Sequence, residues 1–277
     1  MTRDQKQGLL FLKKKQQKNF DSFMSLAVQP PARPIFGFVP SALDEAAAAA
    51  RIAAPSPIGA GASLVVTPNL DHIVQYRRNP AFRAAYRRAA IILCDGFPVH
   101  YYARLRGHPA HRVTGSGLIA RLMHAPDPAA RLLFVVDRPE TARAVETWAH
   151  THGIADQVAT SIPPLGFITQ PSACEHLASA IARHRPTLLV MGVGAPQSEI
   201  FIDRYHNALP DCWALCVGQG VKMALGLVRR APPVVQTLHA EWLWRLIQEP
   251  RRLAGRYGLG AFRFAGAIVA DLRGRSP

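Results

Sequence analysis

No aspartate in the 277 residues stands two positions from another, and no histidines and cysteines cluster at metal-ligand spacing. This argues against a bound divalent ion that grips a phosphorylated substrate. Cysteine is scarce. Cys94, Cys174, Cys212 and Cys216 show neither a disulfide framework nor zinc spacing, and three of them sit in apolar runs. Buried free thiols in a reducing compartment are expected. No apolar run reaches the length of a membrane span. Leu9 to Leu12 is too short for the core of a signal peptide, and lysines follow it directly. The segment Gly192-Val193-Gly194 lacks the rest of the dinucleotide fingerprint, so a nicotinamide enzyme is a poor reading.

Acidic residues are also few. Eighteen face 33 lysines and arginines, giving a formal charge of +15. Lysine is nearly confined to one place: five of six lie in the first eighteen residues, and the sixth is Lys222. Such a balance points to an anionic partner: nucleic acid, acidic lipid or a phosphorylated substrate. Residues 1–33, basic and then proline-rich, read as a disordered arm.

What is present is a rhythm of apolar runs and helical stretches. Strands are predicted at 34–39, 63–66, 91–93, 132–136, 157–162, 187–191 and 213–217. Helices are predicted at 44–54, 80–90, 98–106, 114–123, 140–150, 174–184 and 198–208. The alternation implies an α/β fold, a Rossmann-like parallel sheet with helices on both faces. Asn69, Asp95, Asp137, Gly192, Gly194 and Gly218 all follow apolar runs. Right-handed crossovers would gather them at one edge of the sheet, where ligands bind in open α/β folds. After Gly226 the character changes to a basic, amphipathic helical tail with Trp242 and Trp244. The expected organisation is an arm (1–33), an α/β core (34–235) and a helical appendage (236–277).

Six stretches carry a resemblance. They are Thr67-Pro68-Asn69, Cys94 to Val99, Arg112 to Ser116, Gly192 to Glu199, Arg230-Ala231-Pro232, and Glu241 to Leu246 with Glu249 to Leu253 and Arg256-Tyr257. In this order they resemble the WecG/TagA/CpsF glycosyltransferase family (family 26), over roughly residues 34–258. The resemblance implies a metal-independent, inverting enzyme without a cofactor. It would move a sugar from a nucleotide-sugar, usually a UDP-sugar, to a polyprenyl-diphosphate-linked sugar during cell-surface or exopolysaccharide synthesis. The place of work would be the cytoplasmic face of the inner membrane, with peripheral attachment. A homo-oligomer is left open.

By this resemblance Asp95 is the general base. Thr67 and Asn69 are expected at sugar hydroxyls. Arg112 and Gly115 are expected at a phosphate or developing negative charge. Gly192, Gly194, Pro196, Gln197, Glu199 and Gly218 are expected against the nucleotide, and Arg230, Arg245, Arg252 and Arg256 at the diphosphate. No metal ligand is expected. Removing 236–277 is expected to abolish activity while leaving the core folded. The chain departs from the family pattern at Gly117, where many members carry an acidic residue, at Ser198, where many carry glutamine, and near Lys222, where many carry aspartate. The competing reading is a non-enzymatic basic α/β protein that binds anionic membrane or RNA. It explains the charge but not a carboxylate and glycines at strand ends, and RNA binding would favour aromatic platforms among the basic residues.

Overall fold

The computed structural model describes residues 33–228 and 250–275, with the backbone alone described from 250 to 258. The expected N-terminal arm, and Arg230, Arg245, Trp242 and Trp244 of the tail, lie outside the described residues.

Six strands form one all-parallel sheet: β1 (Ala62–Val66), β2 (Ile91–Ile92), β3 (Leu132–Val135), β4 (Val158–Ser161), β5 (Leu188–Met191) and β6 (Cys212–Cys216), in the order β2-β1-β6-β5-β3-β4. Strands β1, β3, β5 and β6 are buried throughout, as their unbroken apolar runs require. Alternate residues feed two cores. Leu64, Val66, Leu189, Met191, Ala214 and Cys216 face one, and Val65, Val190, Trp213 and Leu215 face the other. The four cysteines are free and buried, Cys174 as well as the three that sit in apolar runs. Burial pushes the Cys94 and Cys212 thiols up to about 12.

Helices cover both faces. They are α1 (Glu45–Ala53), α2 (Leu70–Arg78), α3 (Pro80–Arg88), α4 (Phe97–Leu105), α5 (Gly115–His124), α6 (Pro139–Thr151), α7 (Pro171–His184), α8 (Gln197–Tyr205), α9 (Gly220–Ala224) and α10 (Pro250–Leu272). Side chains fix their starts. Asp44 accepts from Ala47 N (2.8 Å), Asn69 from His72 N (3.2 Å), Asn79 from Phe82 N (3.2 Å) and Thr114 from Gly117 N (3.0 Å). Each such cap contributes on the order of 1 kcal/mol.

Two expectations fail. Residues 34–39 are not a strand. Ile35 and Phe38 pair across a tight turn in which Phe36 and Gly37 both take positive φ (53° and 98°). Between β1 and β2 the chain makes two helices rather than one. The unforeseen α2 buries only Ile73 and Tyr76, so its apolar period is weak, and Asn79 ends α2 and caps α3.

The turn at Phe36 is held by the far end of the chain. Asp271 of α10 is buried, and its Oδ1 accepts from Phe36 N (2.6 Å). Its Oδ2 accepts from Tyr102 Oη (2.6 Å) and from Arg106 Nη1 (3.0 Å). Phe264 and Ala267 of α10 are buried in the same core, with the Phe264 and Phe36 rings 5.8 Å apart. No described helix is long and apolar enough to cross a membrane.

Candidate active site

The carboxyl ends of β1, β2, β5 and β6 turn outward along one edge. β2 leads its backbone one pairing past its last strand residue: Leu93 N donates to Val66 O (2.9 Å) and Asp95 N to Pro68 O (3.0 Å). On the other side Cys94 bridges to Arg112, and Val113 N donates to Cys94 O (2.9 Å). Asp95 is thus held between Thr67-Pro68-Asn69 and Arg112-Val113. Gly96 follows with φ 79° and ψ 140°, a conformation that favours glycine, and opens α4.

The Asp95 carboxylate is aimed at the start of α5, where its Oδ2 accepts from Gly115 N (3.3 Å). A helix N-terminus suits an anion, since its first amides lack helical partners and its dipole favours negative charge. Gly115 is compact of necessity. A β-carbon there would stand 3.0 Å from Thr67 Oγ1 and 3.1 Å from Val217 Cγ1. A β-carbon at Gly96 would meet the Asn69 Cβ at 3.6 Å. Thr67, Asn69, Asp95, Arg112 and Gly115 therefore share one corner. Thr67 is buried, whereas Asn69, Asp95 and Arg112 are half-buried.

The glycines form the other wall. Gly192 N donates to Val135 O (2.7 Å), and Gly218 N to Met191 O (3.1 Å). Gly194 has φ 85°, and Gly218 has φ 49° with its β-position 3.4 Å from Gly194 Cα. The two loops thus lie against each other with backbone exposed where side chains would intrude. Gln197 Nε2 donates to Val193 O (2.6 Å) and Ser198 Oγ to Gly194 O (2.9 Å), tying the loop to the first turn of α8. The Ala195–Pro196 peptide is cis. Val217 beside Gly115, and Gly220 with its β-position 3.2 Å from Ser116, join this wall to the acid corner.

Glu199 stands apart from its neighbours in sequence. It was expected against the nucleotide, but it is only 1% exposed, and its Oε2 is buried with no hydrogen-bond partner among the described residues. Burial raises its pKa to about 7. Tyr86 and Cys216, both raised by burial and by Glu199, are its surroundings. Lys222, noted only as a departure, pairs with Asp137 at 2.6 Å at the end of β3. Arg230 and Arg245 lie outside the described residues, and Arg252 and Arg256 fall on α10 where the backbone alone is described. Among the described residues no three histidine, cysteine or acidic side chains come together as metal ligands. Two acids that tie distant segments together carried no sequence signal. Glu45 reads as an ordinary first-turn glutamate, and Asp271 is the one acid of α10.

The comparisons with known proteins agree with one another. Residues 33–277 match the model of the glycosyl transferase WecG/TagA/CpsF family. A Bacillus spizizenii protein named N-acetylglucosaminyldiphosphoundecaprenol N-acetyl-beta-D-mannosaminyltransferase is 26% identical over 201 residues, covering 69% of this chain and 73% of its own length.

Proposed function

Because this chain belongs to the WecG/TagA/CpsF family and is a glycosyltransferase, we propose that it moves a hexosyl or N-acetylhexosaminyl group from a nucleotide-sugar to a polyprenyl-diphosphate-linked sugar. The relative's name describes such an acceptor, and the same class of polymer-building reaction is carried over here. A UDP-sugar is the proposed donor.

The observation that carries this reading is the Asp95 carboxylate, which accepts from the Gly115 N–H beside the end of β1. In an inverting transfer the acceptor hydroxyl attacks the anomeric carbon from the face opposite the leaving group. The new glycosidic bond forms as the bond to the nucleoside diphosphate breaks, and the hydroxyl proton passes to Asp95. Thr67 and Asn69, beside Asp95, hydrogen-bond sugar hydroxyls. The glycine wall at Gly192, Gly194 and Gly218 admits the donor, with Pro196 and Gln197 shaping the loop. Glu199 supports that loop from below. Negative charge growing on the diphosphate meets Arg112, and the tail arginines Arg230, Arg245, Arg252 and Arg256 complete the neutralisation, while Gly115 orders the base.

An acceptor with a lipid tail requires a membrane-facing surface near Asp95, and α4 begins two residues after it. Tyr101 and Leu105 on α4 and Phe262, Val269 and Leu272 on α10 are exposed, Phe262 at 78%. α10 is therefore apolar on its outer face as well as on the face packed in the core. Arg251, Arg252, Arg256, Arg263, Arg273 and Arg275 lie on it or beside it, and its one acid, Asp271, is buried. Exposed apolar side chains on a helix whose sequence is rich in arginine suit an anionic bilayer. In this reading 34–235 is the catalytic core and 236–277 the membrane-facing appendage.

The test is release of nucleoside diphosphate from several UDP- and GDP-sugars with a lipid-diphosphate-sugar acceptor. Asp95→Asn should lower turnover by about 10²–10⁴ with an unchanged melting temperature. Turnover within a few-fold of wild type would remove Asp95 as the base.

A further inference from the structure

Gly117 is the third residue of α5, two positions past the amide that holds Asp95. Its own N–H donates to Thr114 Oγ1 at 3.0 Å. A β-carbon at this position would collide with Glu45 Oε2 and stand 2.9 Å from Thr114 Oγ1. The room that a side chain would need is occupied by a carboxylate delivered from another helix.

The delivery is built into the chain. Ser41 N donates to Ile92 O (2.7 Å), leading the segment along β2, and Asp44 then caps α1. The N-terminus of α1 consequently reaches the edge where α5 begins. Arg121, one turn along α5 from Gly117, donates from Nε to Glu45 Oε1 at 3.3 Å. This contact engages one oxygen and leaves the other at the vacant side-chain position. The Glu45 side chain is 37% exposed, so the carboxylate remains open to solvent. A negative charge near the first turn of α5 is favourable in any case. An acidic residue on α5 itself would achieve that with local geometry, as a capping box does. A glycine that makes way for a distant glutamate indicates that the position of the carboxylate matters beyond capping.

We propose that Glu45 is a substrate-binding residue: its carboxylate accepts hydrogen bonds from hydroxyls of the sugar that lies beside Asp95. Glu45 and Gly117 then form one unit, the glycine providing the space and the glutamate the acceptor. The group recognised is a neutral sugar with free hydroxyls turned toward α5, and Glu45 discriminates against sugars that lack them or carry an anion there. This rests on the glycosyltransferase reading.

The experiment uses the full chain in the transfer assay above, with thermal unfolding measured alongside. Glu45→Gln keeps the shape but removes the charge. It should lower kcat/KM by about 10–100-fold, the range for a hydrogen bond to a charged group, chiefly through KM for one of the two substrates. Arg121→Gln should stay within about threefold of wild type, because the ion pair alone is exposed and weak. Gly117→Asp alone should be impaired by the collision. Glu45→Ala combined with Gly117→Asp, which moves the carboxylate onto α5, should recover most of the lost kcat/KM. Wild-type activity in Glu45→Gln would overturn the inference. So would equal losses of activity and melting temperature in Glu45→Gln and Arg121→Gln, or failure of the double variant to exceed Glu45→Ala. An inactive wild type would instead remove the glycosyltransferase substrate reading itself.

Discussion

Replacing Glu199 by glutamine should change how stability depends on pH. In the unfolded chain this carboxyl ionises near 4.5, whereas in the fold it does so only at about 7, because burial penalises the charged form. Between these values the folded state holds the proton and the unfolded state has released it. Stability therefore falls as pH rises through this window, and the full cost is present above about 7. A rise of about 2.5 units at about 1.4 kcal/mol per unit gives roughly 3 kcal/mol. Glutamine cannot ionise, so this contribution to the slope should vanish in Glu199→Gln. At pH 5 the variant should match wild type or fall slightly below it, since its amide replaces a neutral acid. At pH 8.5 it should be the more stable by up to roughly 3 kcal/mol. For a unit of this size about 2–4 °C of melting temperature accompanies each kcal/mol, so scanning calorimetry at four or five pH values resolves the effect. Parallel curves for the two proteins from pH 5 to 8.5 would show that the buried carboxyl is not the cause.

The Asp271 clamp should be sensitive to loss of its acceptor: Asp271→Ala leaves Phe36 N and the Tyr102 hydroxyl proton without their acceptor and should cost about 2–4 kcal/mol by denaturant unfolding. For the same reason deletion of 236–277 should lower core stability as well as activity, contrary to the expectation from sequence. Unchanged unfolding of either variant would mean that α10 is an ornament on the core. Replacing Leu105, Phe262 and Leu272 together by serine should reduce sedimentation with vesicles rich in phosphatidylglycerol while leaving transfer to a short, water-soluble acceptor intact. Unaltered vesicle binding would refute the membrane role of this face.

The sheet was legible because its inner strands are buried on both sides and so appear as uninterrupted apolar runs. Strand ends were legible too: Asn69, Asp95, Gly192 and Gly218 stand where the runs stop, and the fold brings them to one edge. Less regular elements were not. The run at 34–39 looks like a strand, yet Gly37 permits a turn there and Asp271 satisfies the Phe36 amide. α2 was hidden by the polarity of Asp71, His72, Gln75, Arg77 and Arg78. Glu199 lies in a motif that suggests a ligand contact, but the helical phase of α8 turns it into the core. The pairing of Glu45 with the space at Gly117 was invisible because nothing local in either residue points to the other.

The Asp271 clamp also bears on biosynthesis. It joins Phe36 to a residue 235 positions later. A chain made from its N-terminus at 5–20 residues per second needs about 10–50 s between the two. During that interval Phe36 and Tyr102 are without the helix that later covers them, and their apolar surface is open to chaperones or to other nascent chains. In the proposed reading, the surface that would receive the lipid-linked acceptor is completed by the same late helix. In this way synthesis itself would set an order, in which the sheet and its glycine wall can form once Gly218 is made and the complete enzyme appears only after the last helix.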